Sequence, residues 1–419
     1  MTASLRSLSP WLALAVLFAA APKVFSSGIA LTMMSVMGVM IIFALSYNML
    51  LGQTGLLSFG HAVYYGLGGF VAIHAMNAII QARLDVPAPV IPLVGGLAGL
   101  AFGFIFGLVS TRRAGIVFSM ISLGLGELVS SSSFILRTFF GGEAGITTNR
   151  TKMTPFFGHK FGPQIEVYYL IAIWCFVCIL AMYALTRTPF GRMCNAVREN
   201  PERAEFIGYS PRMLRLIAFC LSAFFAGVAG GLAAINFEIM NAQQLGAQPS
   251  SIVLLMTYVG GVGAFAGPII GAVIVTFLQI TLSDVTAAWQ LYFGLMFIGV
   301  VLYSPGGVAG WLMLHREAAR RGEIWRLAPA YAMVAPAFAA GLAGAIMLIE
   351  LTDRQLALAR SEGSMMRLFG FEVDAATAGP WIIAIVLVCA GAGSGRLLWP
   401  RVVDAWGVVN ARLRARGDP

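Results

Sequence analysis

Charge is scarce in this 419-residue chain: Asp, Glu, Lys and Arg together make up 11% of it, against about 25% in soluble domains. Lysine occurs only at Lys23, Lys152 and Lys160. Histidine is limited to His61, His74, His159 and His315, scattered along the chain, and cysteine to Cys175, Cys178, Cys194, Cys220 and Cys389. The one close cysteine pair reads CFVC inside an apolar run, with no second CxxC or histidine pair to complete a metal site. Buried thiols are expected there, and no metal ligand is assigned. GxxxxGK[ST] is missing, and no lysine follows a glycine-rich loop, which excludes that kind of nucleotide site. With GxSxG and HExxH also missing, no catalytic residue or bound cofactor is assigned to this chain.

Apolar residues fill the space that charge leaves, at 59% of the chain with a mean hydropathy of +0.84. Twelve apolar runs lie between residues 11 and 398, many approaching the roughly 20 residues that cross a bilayer. Because lipid offers no partner to an open sheet edge, the expected fold is an all-α polytopic membrane protein. The run from Trp11 to Phe25 imitates a signal peptide and is read as a retained first span. Two short runs, 250–263 and 265–282, are read either as one broken helix with a re-entrant piece or as two crossings.

The net charge of +9 does not indicate nucleic acid, because the arginines gather in loops between apolar runs. With both termini in the cytoplasm, Arg112, Arg113, the six arginines from Arg187 to Arg215, the cluster Arg316 to Arg326, and Arg412, Arg414 and Arg416 share one side. That arrangement satisfies the positive-inside rule, and its inverse violates it. The opposite side receives 139–166, 236–249 and the acidic stretch 351–380, with Lys152 and Lys160 against the trend.

Three segments carry more than hydropathy. The stretch GQTGLLSFGHAVYYGLGGF, residues 52–70, interrupts a spanning run with glycines that lower helix propensity by up to about 1 kcal/mol each. It reads equally as a tight helix-packing seam or as an unwound segment beside a substrate path, and GGVGAFAGPIIG, residues 260–271, is its faint counterpart. His61 in the first stretch is read as a hydrogen-bonded structural histidine or as a path residue. Glu127, within ISLGLGELVSSSSFILR, must face the protein interior, be protonated or lie at a helix break. In NAVRENPERAEFIGYSP, residues 195–211, Asn200 is a helix N-cap, Pro201 suits the first helical position and Gly208 can close the helix. A short cytoplasmic helix follows, mixing charge with Ala204, Phe206 and Ile207.

In order along the chain, LSYNMLLGQTGLLSFGHAVYYGLGGF, ISLGLGELV with FFGGEAGI, AVRENPERAEFIGYSPRMLRLIAFCLSAFFAGVAGGL and GGVGAFAGPIIGAV resemble the inner-membrane permeases of branched-chain amino-acid ABC importers. The likeness covers about residues 28–311. It implies about ten core transmembrane helices, within a permease domain at 1–320. A bacterial inner-membrane location follows, with a second homologous permease as heterodimer partner. Two cytoplasmic ATPases using Mg-ATP and a periplasmic substrate-binding protein complete the implied assembly. Residues 200–208 would then form the helix that couples to an ATPase, with Glu202, Ala204, Glu205 and Gly208 at its contact positions. Gly52, Gln53, Ser58, Gly60, His61 and Glu127 would line or support the translocation path. Residues 321–419, an extension with two further apolar runs, lie outside the resemblance. The competing reading is a self-sufficient secondary transporter, which would need paired intramembrane acids or an ion site.

Overall fold

A computed structural model describes residues 2–304, 306–358 and 363–415. Helices α1 (Thr2–Val24), α2 (Gly28–Thr54), α3 (Ala62–Ala82), α4 (Ile91–Ser110), α5 (Ile116–Ile135) and the single turn α6 (Arg137–Phe140) come first. Strand β1 (Ile146–Thr147) leads to α7 (Gln164–Arg187), α8 (Pro189–Glu199), α9 (Pro201–Phe206) and α10 (Pro211–Phe237). Strand β2 (Ile239–Met240), α11 (Ala247–Gly260), α12 (Gly267–Ser283), α13 (Trp289–Tyr303) and α14 (Gly307–Arg320) follow. The chain then forms α15 (Ala328–Leu358), strands β3 (Met365–Leu368) and β4 (Phe371–Asp374), and α16 (Ala378–Ala415).

Each of the twelve apolar runs falls on a helix, but they are not twelve equal spans. Among the described residues eight helices are long and apolar enough to cross a membrane, or nine if α13 and α14 form one bent span. The remaining runs become shorter helices, including α11 and α12, which are separated by an irregular stretch at 261–266. The protein is thus an all-α polytopic membrane protein. It carries two small antiparallel strand pairs that hydropathy did not anticipate, β1 with β2 and β3 with β4.

The chain forms two compact units, Met1–Ile280 with Gly299–Gly310, and Thr281–Ile298 with Trp311–Pro419. In the first, α10 is the central element, buried along most of its length and packed on α2, α3 and α4. Glycine makes that packing close. A Cβ on Gly95 of α4 would lie 2.5 Å from the Gly227 carbonyl oxygen, and one on Gly68 of α3 would lie 2.5 Å from Gly227 Cα. Gly95, Gly99, Gly103 and Gly107 recur every fourth residue and present a groove to α10, the small-residue interface that lipid-embedded helices use. Helix α1 packs on α7, where Tyr168 donates to the Phe18 carbonyl at 2.9 Å and Trp11 meets the Phe176 and Tyr183 rings edge-on.

In the second unit α15 and α16 pair through small residues, with Gly341 against Gly391 and Gly344 against Ala384. Glu350 of α15 accepts hydrogen bonds from Tyr292 Oη at 2.7 Å and Thr286 Oγ1 at 3.2 Å. At its other end His315 bonds Tyr331 Oη at 2.8 Å, which also accepts from Trp406 Nε1 at 2.9 Å. The β3–β4 hairpin turns at Phe369 and Gly370, both with positive φ, the twist that a two-residue hairpin loop needs.

Candidate functional site

The stretch 52–70 divides into two parts with different jobs. Helix α2 ends at Thr54, and Gly55 takes the left-handed conformation (φ 71°) that stops it, its N–H bonding the Leu51 carbonyl at 3.0 Å. Residues 55–61 then lie outside any helix until α3 begins at Ala62. Downstream, Gly66, Gly68 and Gly69 lie inside α3 and touch Leu245, Gly227 and Met240 closely. The segment is therefore an unwound break followed by a packing seam.

Side chains from distant helices replace the lost helical bonds of the break. Ser119 and Ser122 of α5 reach it: Ser119 Oγ donates to the Leu57 carbonyl at 2.8 Å, and Phe59 N–H donates to Ser122 Oγ at 3.0 Å. Ala62 N–H donates to Ser250 Oγ of α11 at 3.1 Å. Gly60 packs on the Ser122 carbonyl and on Gly126, where a side chain would collide with backbone. At the α2 end Arg198 of α8 donates to the Gly52 carbonyl.

His61 is buried at the centre. Its Nε2 pairs with Ser46 Oγ at 3.1 Å, while Phe43 stacks on the ring and Tyr47 and Tyr64 meet it edge-on. Tyr47 Oη donates to the Ser58 carbonyl at 3.0 Å. Four buried polar atoms around the break have no hydrogen-bond partner among the described residues: Asn48 Oδ1, Gln53 Oε1, Ser58 Oγ and His61 Nδ1.

Glu127 lies one residue from the Gly60 contact but points away from it. On α5, Ser119, Ser122, Gly126 and Ser133 are buried, whereas Met120, Gly124, Glu127 and Ser131 share an exposed face. The structure thus gathers Gly52, Gln53, Ser58, Gly60 and His61 at the break and leaves Glu127 on the far side of α5.

Residues 195–211 form the short helix their sequence implies. Asn200 Oδ1 accepts from Arg203 N–H at 2.9 Å, and Pro201 occupies the first position of α9. Gly208 (φ 89°) closes it, with Gly208 N–H on the Glu205 carbonyl and Tyr209 N–H on the Ala204 carbonyl, a Schellman ending. Ala204 is buried against Val197 of α8 and Leu214 of α10, beside Phe190 and Met193. Glu202, Glu205 and Gly208 are exposed, and so are Phe206 (89%) and Ile207 (62%), an apolar tip on a polar turn. Cys194 on the inner face of α8 is buried, which pushes its thiol up to about 12. Of the five cysteines, Cys389 is the one that is exposed.

Arg150 is a residue that motif reading passed over. Its guanidinium donates to the carbonyls of Phe161 (2.7 Å), Ile235 (2.9 Å), Asn236 (3.2 Å) and Gly162 (3.3 Å), and Glu238 lies 3.8 Å away. Ile235 and Asn236 belong to the last turn of α10, whose carbonyls have no helical partner. The only trace in the sequence is a basic residue on the side where few are expected.

The chain is similar in sequence to several transport permeases. The E. coli high-affinity branched-chain amino acid permease LivM is 27% identical over 289 residues, covering 64% of this chain and 67% of the relative. LivH of E. coli is 24% identical, covering 64% and 90%. The fructose import permease FrcC of Rhizobium meliloti is 25% identical over 49% of this chain and 59% of its own length. No solved structure matches the chain. The family model for the branched-chain amino acid transport system permease component matches residues 29–304, so the chain belongs to that family of membrane transport permeases.

Proposed function

We propose that this protein is one permease subunit of an ATP-driven importer in a bacterial inner membrane, paired with a second, homologous permease and carrying branched-chain or related amino acids. Two cytoplasmic ATPases using Mg-ATP and an external substrate-binding protein complete the assembly, and both termini lie in the cytoplasm. The observation that carries this reading is α9: a short helix, fixed at both ends and anchored by Ala204, that presents Phe206 and Ile207 to solvent. Exposed apolar side chains on a rigid turn are what a partner's cleft would grip.

Similarity to both LivM and LivH supports a permease pair. Glu127 supports the pairing too. A carboxylate within a span faces protein or water, so the exposed face of α5 calls for the second permease or a hydrated path between the two. In this arrangement the break at 55–61 stands behind α5 and shapes the path from there.

Reconstitution tests the reading. The permease pair with its ATPases and binding protein should accumulate leucine only when Mg-ATP is supplied on the ATPase side, and this chain alone should move none. Uphill uptake by the isolated chain would overturn it in favour of a secondary transporter.

A further inference from the structure

We propose that Arg198 is a positioning residue that carries movement of the ATPase-facing helix α9 to the unwound break between α2 and α3. This rests on the coupling role proposed above for α9. The first link is rigid: Val197 of α8, Ala204 of α9 and Leu214 of α10 form one buried cluster, so α9 cannot shift without taking α8 with it. Asn200 joins the two helices and caps the second.

The second link is Arg198 itself, two residues before that cap. Its guanidinium donates to the Gly52 carbonyl in the last turn of α2, where a cation also complements the negative end of the helix. Its stem passes Gly55, and a Cβ built there would lie 3.0 Å from Arg198 Cγ. The left-handed glycine that ends α2 therefore also makes room for the arginine. Glu199 offers a competing partner, with Oε1 3.8 Å from Arg198 Nη2.

The third link is the break. Its cytoplasmic end is held by Arg198, and its far end by Ser119 and Ser122 of α5 and Ser250 of α11. Residues 55–61 lie outside both helices, so fewer backbone hydrogen bonds resist a change in their conformation than in α2 or α3. Displacing Arg198 from Gly52 loosens one end of this segment, and the serines pass the change to α5, which bears Glu127.

The test uses the permease pair assembled with its ATPases. Leu57→Cys places a thiol in the break, with Cys389→Ser removing the exposed native thiol. In otherwise wild-type protein, trapping with Mg-ATP and vanadate should change the rate at which a charged maleimide labels residue 57. With Arg198→Gln, ATPase binding and ATP hydrolysis should persist while that change in labelling shrinks roughly tenfold, within the 5–150-fold span of coupling between sites. Arg198→Lys, which keeps the cation but not the fork, should give an intermediate loss and serves if the glutamine variant fails to assemble. The idea is overturned if labelling ignores nucleotide in the wild type, or responds fully in an assembled Arg198 variant. Failure of the coupling reading looks different: the ATPases would then bind undiminished to a Phe206→Ala, Ile207→Ala variant.

Discussion

Truncating the apolar tip of α9 tests docking in isolation from folding. Phe206 is 89% exposed and Ile207 62%, so neither contributes much to the permease's own core. Burying such a side chain in a partner contributes about 1.5–3 kcal/mol. Alanine retains the Cβ, and Ile207 is already partly covered, so about 2 kcal/mol for Phe206 and about 1 kcal/mol for Ile207 is a fair assignment. The double variant Phe206→Ala, Ile207→Ala should therefore weaken ATPase binding by roughly 3 kcal/mol, on the order of 100-fold in Kd. Its own unfolding should stay within about 0.5 kcal/mol of the parent, as for other exposed positions. Titrating purified ATPase against the detergent-solubilised permease pair gives the first quantity, and thermal unfolding of the same sample gives the second. A Kd shift below about threefold would refute the docking argument. Loss of permease stability would instead show that the tip packs within the chain.

Two further outcomes follow from the core. Arg150→Ala removes four hydrogen bonds from a buried cation to carbonyls, though the backbone N–H keeps its bond to Glu238, so it should cost about 3 kcal/mol of stability; unfolding in detergent checks this, with Arg150→Lys recovering only part. Gly227→Leu drives a side chain into the Gly95 carbonyl and Gly99, and should abolish the monodisperse peak in size-exclusion chromatography, whereas Gly124→Ala, with nothing within 4 Å of the added methyl, should leave it unchanged.

Local chemistry was legible from sequence wherever one segment contained both partners. Asn200, Pro201 and Gly208 announce a short helix because each acts on backbone within a turn of itself. All twelve apolar runs become helices for a similar reason, since burying backbone in lipid demands that every N–H and C=O be satisfied within the segment. Run length marked 250–263 and 265–282 as short but left open whether they formed one broken helix or two crossings; they form the separate helices α11 and α12. What ends α11 is glycine geometry, Gly261 taking a φ of 107°. The fourfold glycine series from Gly95 to Gly107 was passed over because hydropathy averages it away. Its meaning appears only once α10 supplies the facing backbone. The β3–β4 hairpin was hidden by the same averaging, its turn residues Phe369 and Gly370 lying in a stretch read for acidity alone.

The arginines mark the boundary of that legibility most clearly. Counting them by loop orients the chain, because the membrane potential and lipid charge act on every cation alike. The count treats Arg150, Arg198 and a solvated arginine as equals. In the structure Arg150 closes the last turn of α10 at one end and Arg198 the last turn of α2 at the other, each replacing backbone donors that the helix lacks. The carbonyls they serve lie 85 and 146 residues away along the chain, beyond the reach of any local pattern. A cation that caps a distant helix ties two segments that packing alone would leave free to slide. In the arrangement proposed above, Arg198 ties the turn offered to an ATPase to the last turn of α2.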